Sequence, residues 1–196
     1  MSDNLLRNTR ALVTATALSV ALYAGIDRAH AAPALPSHAT DADAAHQFNF
    51  LVGNWKVHNR YLKARMAKSS DWIEFEANDS FHELPGTLGT EENFSTDHWP
   101  NFVAIGLHLF DPSAQKWVLY WADSRNSPGI MQTLASGSFS GNVGTFYGAD
   151  TLDGKPIVVR ILWKQVDADH VRWEQAFSND DRVSWETNWT MDFVRS

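Results

Sequence analysis

The sequence predicts an all-β protein, an up-and-down antiparallel barrel of about ten strands with little helix. Three observations point there. From Phe48 onward, apolar residues recur with a period close to two. Turn signals return every 8 to 14 residues. The stretches between strands are too short for the crossover helices that parallel pairing needs. A meander of that length leaves two exposed edges unless it closes on itself, which favours a barrel. A two-sheet sandwich is the competing arrangement.

Taken in order, the chain opens with Arg7 and Arg10, an uncharged run at 11–26, and the small-residue triplet Ala29-His30-Ala31. That is the pattern of a secretory signal peptide, with cleavage expected after Ala31. A membrane anchor needs roughly 20 apolar residues, and Asp27 and Arg28 end this run sooner. No cysteine follows the site and no twin arginine precedes it, so the general secretion route is expected. Removing residues 1–31 leaves 13 basic and 21 acidic residues, net −8, with no membrane anchor. An acidic, cysteine-free chain suits a periplasmic or secreted location. Residues 32–46 are rich in Ala, Pro and small polar types and read as a flexible tether. Residues 47–196 form the barrel domain.

Strands are expected near 53–63, 71–83, 88–95, 102–110, 116–123, 130–139, 143–150, 156–165, 170–178 and 183–194. The turns between them include Pro85-Gly86, Asp111-Pro112-Ser113, Ser140-Gly141-Asn142, Asp153-Gly154 and Asn179-Asp180-Asp181. The one helix-like patch, 61–70 (YLKARMAKSS), reads equally well as a basic loop. In the last strand Trp185, Thr187, Trp189, Met191 and Phe193 share one face, while Glu186, Asn188, Thr190 and Asp192 share the other. In strand 156–165, Ile157, Val159, Ile161 and Trp163 oppose Val158, Arg160 and Leu162, so neither face is fully polar, and a strand apolar outside and mixed inside suits a barrel with a partly polar interior.

Composition narrows the function. Apolar residues make up 44% and charged residues 20%, which describes a foldable globular chain. A net charge of −7 without a clustered basic face argues against nucleic-acid binding. The absence of cysteine removes disulfides, thiolate metal sites and thiol catalysis. Nine Trp and eleven Phe call for a large core or an aromatic-lined cavity. There is no nucleophile elbow, phosphate-binding glycine loop or dinucleotide fingerprint.

The run Phe50-Leu51-Val52-Gly53-Asn54-Trp55-Lys56-Val57 opens the first strand with Gly-x-Trp. Later come Leu109-Phe110-Asp111-Pro112, Tyr120-Trp121, Gly144-Thr145-Phe146-Tyr147-Gly148, Arg172-Trp173-Glu174-Gln175 and Trp185-Glu186-Thr187-Asn188-Trp189. Together these resemble a bacterial family of lipocalin-like, calycin-type β-barrel proteins, over almost all of residues 48–195. The resemblance implies the barrel and brings no particular reaction. It also implies that Trp55 plugs the closed end, covered by a basic residue, with Arg195, Arg172 or Arg182 as candidates.

None of the eight histidines has a spacing that places two imidazoles on one metal, so no metal site and no cofactor are expected. His108 lies in a strand on the face carrying Ala104 and Gly106, whose small side chains leave space beside it. It is the best acid–base candidate, because imidazole titrates near neutrality. Glu174 and Glu186 fall on neighbouring hairpin strands, nearly opposite each other, with Arg160 one strand earlier. Pointing inward, Arg160, Glu174, Glu186 and Asn188 form a polar floor; pointing outward, they form a solvated cross-strand ladder. Tyr147 offers a stacking surface and a hydroxyl if it faces the lumen, since Phe146 and Tyr147 point to opposite sides. Trp121 leads into a loop where Asp123 and Arg125 stand at the expected mouth. With Trp72, Phe146, Trp173 and Trp189, it supplies aromatic wall.

These residues suggest an exported monomer or homodimer that binds a small hydrophobic or aromatic molecule in its lumen. The alternative is a cofactor-free isomerase, cyclase, hydratase or lyase on the same scaffold, with His108 or Glu174 transferring the proton. Haem binding, as in some ten-stranded barrels of this superfamily, needs an axial histidine on a lumen-facing strand. His170 stands at a turn, leaving His108 as the sole replacement.

Overall fold

The structure, a computed structural model, describes residues 41–196 apart from Thr87, Ser127 and Pro128. The expected signal peptide and most of the tether lie outside the described residues. A short helix, α1 (Asp41–Ala44), and a 3-10 turn (Asn49–Leu51) lead into ten strands. These are β1 (Gly53–Leu62), β2 (Trp72–Glu83), β3 (Gly89–Thr96), β4 (Phe102–Asp111), β5 (Lys116–Asp123), β6 (Gln132–Ser140), β7 (Val143–Leu152), β8 (Lys155–Gln165), β9 (His170–Ser178) and β10 (Glu186–Arg195).

Each strand pairs antiparallel with its neighbour in sequence, and β10 returns to β1, so the sheet is a closed barrel with no free edge. The sandwich alternative is thereby excluded. The 61–70 patch is not a helix: it completes β1 and then turns irregularly, with Met66 and Lys68 at φ of 56° and 55°.

Alternation sends one side of every strand inward. In β8, Ile157, Val159, Ile161 and Trp163 are buried, while Val158, Arg160 and Leu162 face out. In β10 the apolar stripe of Trp189, Met191 and Phe193 also turns inward, paired with Tyr61, Asn59 and Val57 of β1. The interior is thus more apolar than the mixed lumen expected from the sequence. A barrel of this size has an interior that side chains can fill, so burying apolar area decides the orientation.

One end is plugged by the segment preceding β1. Phe48 is fully buried, with its ring 4.9 Å from Trp117 and Phe139 and 5.6 Å from Phe146. Rings meeting edge-on at such distances add to the area they bury. Trp55 donates from Nε1 to the Leu51 carbonyl at 2.6 Å. The Arg195 guanidinium lies 4.1 Å from the centre of the Trp55 ring and donates to the carbonyls of Val52, Phe50 and Ala168. Gly53 sits at φ 130°, and a Cβ there would lie 2.6 Å from Arg195 Nη1. The glycine of Gly-x-Trp is therefore required by both backbone and space. At the other end, loops 63–71, 97–101 and 179–185, with Arg125 and Asn126, surround a mouth.

Candidate functional site

Between the Phe48 plug and the mouth lies a chamber of about 90 Å³. One water needs roughly 10–15 Å³ by the same measure, so the space exceeds a single solvent site. Its walls include Trp121, Trp163, Trp173 and Trp189, together with Met191, and its polar groups include Glu92, His108 and Gln175. Successive indoles stand edge to face. Trp163 and Trp173 are 6.4 Å apart at 69°, and Trp173 and Trp189 are 5.6 Å apart at 81°. Two of these rings are anchored by their N–H groups: Trp189 donates to Asn59 Oδ1 at 2.9 Å and Trp121 to Asp123 Oδ2 at 3.2 Å.

The polar side of the chamber is made by neighbouring strands β2, β3 and β4. Asp79, Glu92 and His108 are 3%, 4% and 3% exposed, well below what ionisable groups tolerate without partners. His108 Nε2 lies 3.4 Å from Glu92 Oε2, and Nδ1 lies 3.2 Å from Thr90 Oγ1. Phe48 stacks on the imidazole at 4.3 Å. One ring nitrogen thus faces the Glu92 carboxyl and the other the Thr90 hydroxyl. Glu92 pairs across the ladder with Gly106, and a Cβ at Gly106 would fall 2.4 Å from Glu92 Oε2. The glycine thus makes room for the carboxyl.

Asp79 stands behind this pair. Its polar neighbours are the Glu92 carboxyl and the Ser80 backbone N–H. Burial, and then the adjacent Glu92 carboxyl, push its pKa well above the ordinary carboxylate range. Two close buried carboxyls hold a proton between them.

At the mouth, a second cavity of about 390 Å³ is lined by Tyr61, Arg65, Trp99, Arg125 and others, and shares Trp121 and Trp189 with the chamber. Arg65 lies over the Tyr61 ring at 4.2 Å and Arg125 over Trp99 at 5.8 Å. Burial lowers the pKa of Arg65, opposed by Tyr61, Asp150 and Glu186. Asp123 faces burial, which would raise its pKa. The N–H groups of Asn126 and Arg125, the Asn126 amide and the Trp121 indole outweigh it and hold the carboxylate low.

The structure gathers some of the anticipated residues and separates others. His108, Trp121 and Trp173 line the chamber. Asn188 is fully buried one layer away, accepting from Gln175 Nε2 at 2.9 Å. Glu186 stands at the mouth and accepts from the Met66 backbone N–H. Glu174, Arg160 and Tyr147 are on the outside, so the polar floor does not form. Glu174 pairs with Arg172 at 3.2 Å, which in turn reaches Asp192. Arg160 lies over Trp185 at 4.6 Å and pairs with Tyr147 across the ladder. Trp72 is also outside, beneath the Arg60 guanidinium at 5.2 Å. The cause is alternation: Phe146 in β7, Ile161 in β8, and Trp173 and Gln175 in β9 take the inward positions, which sends Tyr147, Arg160 and Glu174 out. Glu174 pairs with Thr190 and Glu186 with Phe177, so the two acids do not oppose each other.

Sequence reasoning missed Asp79 and Glu92. The signal was present: Phe75, Ala77, Asp79 and Phe81 form one inward stripe, and Thr90, Glu92 and Phe94 another. An acid in register with buried aromatics is a lumen residue by alternation alone. Among the described residues no group of three or more His, Asp or Glu side chains is placed to hold a metal ion.

No family model matches the chain, and no curated protein does. Among solved structures, the crystal structure of Rv2717c from M. tuberculosis is similar at 13% identity and a TM-score of 0.49, covering 78% of this chain and 97% of that one.

Proposed function

We propose that this barrel is an exported, lipocalin-like binding protein that holds a small hydrophobic or aromatic molecule in its lumen. One observation carries the reading: an indole-walled chamber lies inside the closed barrel, with a few polar groups converging on it. Concave apolar sites with sparse polar groups are where small ligands bind. The Trp55–Arg195 closure supports the lipocalin-like part, and the leader pattern at residues 1–31 supports export. The test is native mass spectrometry of protein purified from its own source, with solvent extraction of whatever is bound. A stoichiometric apolar compound is expected. A barrel that arrives empty, and whose tryptophan emission responds to no aromatic probe at millimolar concentration, overturns the proposal.

A second reading has its own observation. Glu92 and His108 meet on the chamber wall, as a base and its partner do in cofactor-free proton transfer. An isomerase or lyase of a small hydrophobic substrate would use this pair. Glu174 has no part in it. The discriminating variant is His108→Asn, which abolishes turnover and spares affinity if the reading holds. Haem does not fit. His108 faces Glu92 with one ring nitrogen and Thr90 with the other, under Phe48, and His170 is tied to Asp167 on an exposed turn.

A further inference from the structure

We propose that the lumen selects organic cations, taking a protonated amine on a small apolar or aromatic body. The inference rests on the lumen-binding reading and names the class of its ligand. Its first support is the shape of the wall. Trp163, Trp173 and Trp189 stand at 69° and 81° to one another, forming sides of a box instead of a stack. Indole faces carry negative potential, and boxes of them recognise ammonium groups. Its second support is charge. The chamber's lining contains one carboxylate, Glu92, and no Lys or Arg.

A third, independent observation is the state of the acids behind the wall. Asp79 is more than nine-tenths buried, and the group beside it is another carboxyl, that of Glu92. Among the described residues, the basic group set against this pair is His108. Its Nε2 faces Glu92 and its Nδ1 faces Thr90, so both ring nitrogens are engaged, and a carboxylate at Glu92 is a buried negative charge. Such a buried charge is costly without a counter-ion. An ammonium bound against Glu92 and within the indole box supplies that counter-ion, three N–H donors and the cation that the ring faces attract.

The arginines nearest the chamber do not contradict this. Arg65 and Arg125 stand at the mouth, where Arg65 is offset by Glu186 and Asp150, and Asp123 lies on the same rim.

The test uses three probes of one size, 2-phenylethylamine, 2-phenylethanol and phenylacetate, titrated at pH 7 and followed by tryptophan emission and calorimetry. The amine should bind at least tenfold more tightly than the alcohol, and the acid most weakly. Glu92→Gln should erase the amine preference while leaving the alcohol's affinity within about twofold. Asp79→Asn, which keeps a neutral group in place, should retain the preference and so guards against misfolding of the first variant. If the alcohol or the acid binds as well as the amine, the cation inference falls and the lumen-binding reading stands. If none of the three binds, both fall.

Discussion

Asp79→Asn is expected to change how stability depends on pH. In the folded protein the carboxyl is buried beside Glu92 and keeps its proton, whereas in the unfolded chain it ionises near 3.8. A carboxyl whose folded pKa is raised contributes stability that is complete below its unfolded value. That contribution drains away as pH rises toward the folded value. Across that window the unfolded state has released a proton that the native state still holds, so this one group lowers stability by about 1.4 kcal/mol per pH unit. Asparagine preserves the shape, cannot ionise, and offers an N–H to Glu92 in place of the carboxyl O–H. The variant's stability relative to wild type should therefore climb by up to about 1.4 kcal/mol for each unit above pH 4, until native Asp79 itself ionises. Urea melts of both proteins at pH 5, 6, 7 and 8 read this difference, because titrating groups remote from the Asp79–Glu92 pair cancel. Parallel stability–pH curves, or a variant that loses ground as pH rises, would refute the reasoning.

Further outcomes can be stated briefly. Phe48→Ala should cost about 3–5 kcal/mol in urea unfolding, since its ring fills the space among His108, Trp117, Phe139 and Phe146 and nothing adjacent can collapse into it. Arg195→Gln should cost about 2–4 kcal/mol, the sum of a lost cation–ring contact with Trp55 and weakened bonds to three carbonyls; a thermal melt unchanged from wild type would show the cap to be ornamental. Gly106→Ala should cost about 1–3 kcal/mol by crowding Glu92, and should also disturb tryptophan emission from the chamber. Asp180, held to about pH 2 first by the Ser184 hydroxyl and then by its N–H and Ser178, orders the 179–185 loop. That ordering is present at neutral pH and fades as pH falls toward 2, and Asp180→Ala should make the loop a site of limited proteolysis at pH 7.

Alternation and turn chemistry made the strands readable. Each expected strand lies within a few residues of an observed one, because antiparallel hairpins are local and their turns carry the residues that positive φ demands, as at Asp153-Gly154 and Gly141. Which way a strand faces was harder. In β8 and β10 both faces carry bulky groups, and only closure decides that Trp163 and Trp189 go in while Arg160 goes out. Glu174 goes out because Trp173 and Gln175 on either side of it take the inward positions of β9. Asp79 and Glu92 escaped notice for another reason. They come from a hairpin whose register, Phe81 opposite Glu92, is needed to see that the two acids share a diagonal.

The cap of Arg195 on Trp55 also governs when the molecule can become itself. Val52 and Arg195 are 143 positions apart, yet the same contact seals the plug and zips β1 to β10. Hairpins from β2 to β9 can assemble from near neighbours, but the seam waits for the two extremes of the domain to find each other. Until then Phe48 and Trp55 have no enclosed space to enter, and the first and tenth strands each present an open rail of unpaired backbone. Completion of this barrel is thus a single late event that needs the final residues. A chain shortened by its last strand would be left as an open, adhesive sheet, not a slightly smaller barrel.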